Sequence, residues 1–288
     1  MSMFPEGRDL VYTKRMYLGV DIGGTKTLAA VLDASGVITK KTKFPTPANY
    51  TEFLQQLQQT VDDFGVKNYR AAGVGMPVTD FDRERGIGIG FGNLPWHVVP
   101  VRSDIEKIAG CPVAIENDAK LAGLSEAMLL KQYSKVLYIT ISTGIGTALI
   151  VDQKIDTNIG DAGGAGMLLQ HHDKLQPWEH FASGHAIVQR FGKKAADIHD
   201  QATWQTIVHD WSRGFLQLIA ITEPDVVVIG GSVGSYFDRY QQLLVNELTK
   251  YETPILQIPP IIKAQRPQEA VVYGCYDYAK QQHGVVHA

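Results

Sequence analysis

Short apolar runs ended by glycine turns alternate along the chain with stretches whose apolar positions fall at helical spacing. Tyr17 to Ile22 reads as a strand that runs through Asp21 into a glycine turn. Lys26 to Leu32 and Val37 to Lys43 continue it, joined by the turn Asp33-Ala34-Ser35-Gly36. From Tyr50 to Phe64, Phe53, Leu54, Leu57, Val61 and Phe64 share one face and predict a helix. Arg70 to Gly75 is another strand, and the Gly- and Pro-rich stretch Met76 to Pro100 reads as a loop. Ser103 is expected to cap a helix over Asp104 to Ala109, with Glu106 at capping-box distance. The apolar run Cys111 to Ile115 then leads through Glu116-Asn117-Asp118-Ala119 into a helical pattern from Lys120 to Leu130.

The pattern then restarts. Tyr17-Leu18-Gly19-Val20-Asp21-Ile22-Gly23 is echoed 121 positions on by Tyr138-Ile139-Thr140-Ile141-Ser142-Thr143-Gly144, again followed by a second apolar strand, Thr147 to Val151. A later strand, Asp225 to Ile229, ends in Gly230-Gly231-Ser232 and leads to a predicted helix from Tyr236 to Leu248. This self-similarity suggests two related α/β domains across a cleft; glycine-ended strands are also common in any α/β protein. The expected division is residues 16–117 and 118–270, with a C-terminal helix over 271–283 packing back on the first domain.

Composition narrows the classes. The chain has 288 residues, 44% hydrophobic and 20% charged, enough for two ordinary domains. A formal net charge of −3 gives no footprint for nucleic acid or an anionic membrane. No apolar stretch approaches the roughly 20 residues of a membrane span. Met1 to Arg15 lacks the apolar core of a secretory signal, so a cytoplasmic location is expected. Cys111 and Cys275 are too few for a disulfide framework or a cysteine-rich zinc site.

Three segments carry candidate chemistry. Asp118 stands where a strand gives way to a helix, at the carboxyl edge where α/β enzymes place ligands. It is either a general base for a hydroxyl proton or a cap for the helix that follows. Gly23-Gly24-Thr25 and Thr143-Gly144-Ile145-Gly146 are either tight turns or cradles whose backbone N–H groups converge on phosphate. Asp21 is placed to hold magnesium beside such phosphates. Lys26 adds a cation there or is a solvated residue at the start of a strand. No Gly-x-x-x-x-Gly-Lys-Ser/Thr string occurs, and a strand rather than a helix follows Asp21-Ile22-Gly23-Gly24, against a dinucleotide fingerprint.

Together these segments resemble the ROK family of sugar kinases, from about Tyr17 to about Tyr278. Asp21 to Lys26 is similar to the family's first phosphate motif, and Ser142 to Gly146 to its second, with Ser142 replacing a glycine. Glu116 to Ala119 resembles the catalytic motif, which implies Asp118 as base and Asn117 as a sugar ligand. Gly75-Met76-Pro77 and Gly92-Asn93-Leu94 look like segments lining the sugar pocket, which implies Gly75 and Asn93 as contacts. Glu179 to Gly184 resembles a motif whose glutamate binds sugar, and Gly230, Gly231 and Ser232 a segment that contacts nucleotide. The resemblance implies two ribonuclease-H-like, actin-like ATPase domains flanking a nucleotide and sugar cleft, with ATP and Mg2+ as cofactors, a sugar as partner and a homodimer.

Departures leave rivals open. Gly164-Ala165-Gly166-Met167 stands where most members carry Glu-x-Gly-His, so ordinary hexoses are expected to bind more weakly for want of two polar contacts. Alternatively, Gly164 is expected to leave space for a bulkier or less hydroxylated sugar, with Met167 adding apolar contact. The family's cysteine zinc motif is missing; His171 to Pro177 occupies that stretch, no structural zinc is expected, and His171 and His172 read as solvated loop residues. The rivals are a degenerate member that binds without turnover and an actin-like assembly ATPase. A repressor is disfavoured because too few residues precede Tyr17 for a helix-turn-helix.

Overall fold

The computed structural model describes residues 16–266 and 268–284. The segment Met1 to Arg15, on which the expectations about a secretory signal and a helix-turn-helix fall, lies outside them. The chain forms two units. One runs to Leu121 and takes in the chain again from Val271; the other is Ala122–Ala270.

The first unit is built on strands β1 (Met16–Ile22), β2 (Lys26–Leu32), β3 (Ile38–Pro45), β4 (Tyr69–Met76) and, after a short hairpin, β7 (Val113–Asn117). They form one sheet in the order β3-β2-β1-β4-β7. β1 lies antiparallel to β2 and parallel to β4, which lies parallel to β7. Alternation along β1 sends Leu18, Val20 and Ile22 into a core with Phe53 and Leu57 of helix α1 (Tyr50–Asp63). The other face, with Tyr17, packs on Val272 and Tyr276 of the C-terminal helix (Ala270–His283). That helix comes so close that a Cβ on Gly73 would stand 2.1 Å from the Cys275 carbonyl oxygen.

The expected loop from Met76 to Pro100 contains a hairpin, β5 (Val78–Asp82) and β6 (Ile87–Phe91). Its turn is closed by Asp82, whose Oδ1 accepts from the Arg85 N–H at 2.9 Å, and by Gly86 at φ 72°. Helix α2 (Val101–Ala109) begins earlier than expected, after Pro100, and the Ser103 hydroxyl donates to the Pro100 carbonyl rather than capping. Helix α3 (Asp118–Ala127) starts directly on β7. Its first turn stays with the first unit, because Leu121 packs where a Cβ of Gly75 or Gly274 would be. The division therefore falls after Leu121, not at Asp118.

The second unit repeats the sheet. β8 (Lys135–Ile141), β9 (Ile145–Val151), β10 (Lys154–Ile155), β13 (Val226–Gly230) and β14 (Ile261–Lys263) lie in the order β10-β9-β8-β13-β14, with β8 antiparallel to β9 and parallel to β13. Between them come helix α4 (Gly163–Gly166), the hairpin β11 (Leu168–His171) and β12 (Lys174–Pro177), and helices α5 (Glu179–Ala182), α6 (Gly184–Phe191) and α7 (Gln201–Thr222). Trp178, Trp204, Trp211 and Phe215 fill the core. The helix expected over Tyr236 to Leu248 is broken: after the short α8 (Gly231–Gly234), a single 3-10 turn covers Phe237–Arg239 and α9 covers only Gln241–Thr249. At the break Tyr240 leaves helical geometry, at φ −130°, and buries its ring against Trp204 and Trp211.

Candidate active site

In the first unit, Asp21, Gly75 and Glu116 stand in one row across β1, β4 and β7. Asp118 follows at the first position of α3, its Cα 3.7 Å from where a Cβ of Gly75 would lie. The small size of Gly75 thus has a packing reason, with Val271 and Leu121 closing in on it. Capping falls to Asn117, not Asp118: the Asn117 Oδ1 accepts from the Lys120 N–H at 3.2 Å, and its Nδ2 donates to the Val78 carbonyl at 3.0 Å. Asn117 is buried with both ends of its amide engaged, which gives it a holding role beside any sugar contact.

Asp118 accepts from the Ala119 N–H at 2.7 Å and keeps partial solvent access. Enclosure by the protein pushes its pKa up to about 6. Asp21 is pushed up to about 7, first by enclosure and then by the charge of Asp118, with Lys43 pulling the other way. The two carboxyls therefore titrate as a pair. At the β1–β2 turn the Gly23 N–H donates to the Lys26 carbonyl at 3.1 Å, which assigns Gly23 to closing the turn. Gly24 faces Asn93 so closely that a Cβ on it would lie 2.5 Å from the Asn93 Cβ. Thr25, Lys26 and Asn93 are exposed.

In the second unit three segments meet on Ser142, the residue standing where the motif has glycine. Its Oγ accepts from the Ser232 N–H at 3.0 Å, and its carbonyl accepts from the Gly184 N–H at 2.7 Å. Gly230 and Gly231 allow this approach: a Cβ on Gly230 would lie 2.1 Å from the Tyr138 hydroxyl, and one on Gly231 2.5 Å from the Ile141 carbonyl. Glu179 accepts from the Ile145 N–H at 3.1 Å, and its carboxylate fills the place of a Gly144 side chain. The structure thus joins Thr143, Gly144, Glu179, Gly230, Gly231 and Ser232 around one turn, with Thr143 and Ser232 exposed.

Two expectations are corrected. Gly164 leaves no space: a Cβ there would stand 2.7 Å from the Ile145 Cβ, because α4 packs directly on β9. Met167 packs against the core, and its carbonyl accepts from the Trp178 N–H at 2.7 Å. His171 is not a solvated loop residue. It ends β11, buried, stacked on Phe181 at 4.1 Å between ring centroids, with its Nε2 3.3 Å from Asp210, which is also paired with Arg190. Burial lowers its pKa, against the pull of Asp210. His171 to Pro177, the stretch that stands where the family's cysteine motif would be, belongs to this hairpin.

Sequence reasoning missed Arg83 and gave Ser183 and Gly184, inside the segment Glu179 to Gly184 that it singled out, no role of their own. Arg83 forms a two-pronged bond to Glu116, and Ser183 caps α6 through the Ala186 N–H. A cap signal was present in Ser183; nothing local marks Arg83.

The sequence profile of the ROK family matches residues 17–282. The chain belongs to the ROK family. It is 31% identical over 191 residues to a glucokinase of Streptomyces coelicolor, a match covering 62% of this chain and 60% of that protein. It is 27% identical over 303 residues to an N-acetyl-D-glucosamine kinase of Vibrio parahaemolyticus, covering 90% of this chain and 98% of that one. Its fold is shared with a ROK family glucokinase from Streptomyces griseus solved with glucose and AMPPNP, at TM-score 0.77 and 23% identity, over 92% of this chain and 99% of that one. The two sheets of this ROK protein are thus those of the ribonuclease-H-like, actin-like ATPase fold that its sequence implied. Among the described residues no helix is long and apolar enough to cross a membrane.

Proposed function

We propose that this protein transfers the terminal phosphoryl group of ATP to a hydroxyl of a hexose or N-acetylamino hexose. The observation that carries the reading is Asp118: a partly open carboxyl at a strand's carboxyl end, relieved of capping by Asn117, with its pKa at about 6. Such a group is ionised at neutral pH yet basic enough to take a proton from an attacking hydroxyl. Relatives named glucokinase and N-acetyl-D-glucosamine kinase support including both sugar types among the candidate substrates.

The residues have separable duties. Asp118 accepts the hydroxyl proton as the bond to phosphorus forms. Asn93, exposed beside Gly24, contacts sugar hydroxyls, and Asn117 holds the start of α3 so that Asp118 stays aimed. Gly24, Thr25 and Lys26 lie along the phosphates, while Thr143, Gly144, Gly230, Gly231 and Ser232 receive the nucleotide. Glu179 fixes the β8–β9 turn through the Ile145 N–H and offers its remaining lone pairs to the sugar. Asp21, enclosed beside the Asp118 carboxyl, would hold Mg2+. Bound magnesium would neutralise charge on the phosphate oxygens.

The test is ADP release with ATP and magnesium over glucose, fructose, mannose, N-acetylglucosamine and N-acetylmannosamine. Turnover of at least one sugar is expected. None with any sugar overturns the reading in favour of a protein that binds without turnover, the rival raised by the absent Glu-x-Gly-His.

The Gly164 packing gives a separate expectation. Gly164→Glu, which writes the family's glutamate back, should lower stability by about 1–3 kcal/mol, the range for overpacking, and should not lower the KM for glucose. Thermal unfolding and glucose titration check this. Tighter glucose use at unchanged Tm would mean that the space beside Ile145 exists after all.

A further inference from the structure

The β5–β6 hairpin is fastened to the edge that carries Asp118, and the fastening is ionic. Arg83 follows β5 directly. Its Nε donates to Glu116 Oε2 at 3.0 Å and its Nη2 to Glu116 Oε1 at 2.7 Å. Glu116 is fully buried, and its Oε1 also accepts from the Asn117 N–H at 2.7 Å. The guanidinium lies over the Phe81 ring, 4.4 Å from its centre, which fixes the plane of the fork. From the other side Arg102 of α2 donates to the Arg83 and Glu84 carbonyls at 2.6 and 2.8 Å.

A second fastening runs in parallel, from Asn117 to the Val78 carbonyl at the hairpin's opposite end. The hairpin in turn delivers Asn93. β6 ends at Phe91, the Gly92 N–H donates to the Pro77 carbonyl at 2.9 Å, and Asn93 comes next, against Gly24. One rigid path therefore runs from Asn93 through β6 and Arg83 to Glu116, two residues before Asp118.

We propose that Arg83 is a positioning residue that sets sugar affinity: its fork on Glu116 fixes Asn93 relative to Asp118. This rests on the sugar-kinase reading above. The fork geometry is what matters, since a lysine at the same place would keep the charge near Glu116 but supply a point donor instead of two aligned N–H groups.

Arg83→Lys is therefore the chosen variant, because Glu116 is not left buried beside an uncompensated gap. On the sugar that the wild type turns over fastest among glucose, N-acetylglucosamine and N-acetylmannosamine, its sugar KM should rise about tenfold, a misplacement-sized effect. The KM for ATP should stay at the wild-type value. Amide exchange at Gly88 and Gly92, which hold the hairpin to Val99 and Pro77, should quicken by roughly tenfold in the ligand-free protein. Glu116→Gln should give the same pair of changes, and the double variant should add little to either single one.

A wild-type sugar KM in folded Arg83→Lys overturns the proposal, as does an equal rise in the KM values for sugar and ATP. If the wild type turns over no sugar, the kinase reading falls and the sugar-affinity role with it. Exchange at Gly88 and Gly92 then still decides whether Arg83 locks the hairpin, so the two failures are told apart.

Discussion

Asp118→Asn should lower kcat by about 10²–10⁴-fold, the contribution typical of a positioned general base, while nucleotide affinity stays at the wild-type value. Asparagine keeps the shape and can still accept the Ala119 N–H that holds Asp118 in place, so the loss reports chemistry and not local collapse. The pH profile gives an independent reading of the same group. Asp118 must be ionised to act, and its pKa is pushed up to about 6, so wild-type rate should rise with pH through that value. Asp21, at about 7, titrates with it, so the limb belongs to the pair. The sign for stability runs opposite. Both carboxyls hold protons more tightly folded than unfolded, so their share of stability is present at acid pH and lost as pH rises through about 6 to 7. Falling rate at pH 5 is then not caused by these groups unfolding the chain. In Asp118→Asn that limb should narrow to Asp21 alone, without the Asp118 charge that helps to raise it. A variant keeping more than about a tenth of wild-type kcat would remove Asp118 from the base role.

Gly231→Ala should weaken nucleotide binding by about tenfold or more, a misplacement-sized loss, and also destabilise the second unit. Its backbone sits at φ 82°, which L side chains rarely adopt. A Cβ there would also stand 2.5 Å from the Ile141 carbonyl oxygen, 2.6 Å from Thr140 Oγ1 and 2.7 Å from Ser142 Oγ. Two of those atoms belong to the turn that Ser142 organises, so relief of the clash must push the Gly230 and β8–β9 segments apart. Gly192→Ala is the matched control: φ is 66° there, but nothing lies within 4 Å of the added methyl. It should cost only the backbone strain, on the order of 1–2 kcal/mol, and leave nucleotide affinity alone. Calorimetric titration with a non-hydrolysable ATP analogue, alongside urea unfolding, separates the two variants. Equal nucleotide affinity in both would show that the Ser142 junction does not shape the nucleotide site.

Residues that announce themselves locally were legible in the sequence. β2 is bounded as expected because the apolar run Leu28 to Leu32, entered through Lys26 and Thr27, lies between a glycine turn and Asp33-Ala34-Ser35-Gly36. The β5–β6 hairpin was not legible, since Ile87-Gly88-Ile89-Gly90-Phe91 offers glycine where a strand's polar residues usually stand, and its flanks read as turns. Arg83 and Glu116 are 33 positions apart, and only folding makes them a pair. Gly164 shows the reverse error. A missing side chain suggested empty space, but Ile145 of β9 lies against Gly164, as close packing of interiors leads one to expect. Tyr240 broke an apolar period that looked helical because three buried aromatic rings outweigh one more turn of helix.

The C-terminal helix closes the face of a sheet whose other strands lie before Leu121. On a ribosome this order of events matters. The second unit, Ala122–Ala270, is contiguous and can finish folding while the first still waits for Val272 and Tyr276. At ~5–20 residues per second, the 150 residues from Leu121 to Val271 impose a pause of roughly 8–30 s. Throughout it Tyr17, Leu28 and Leu32 lack their cover, and the strand that carries Asp21 is finished last although it is made before the other described strands.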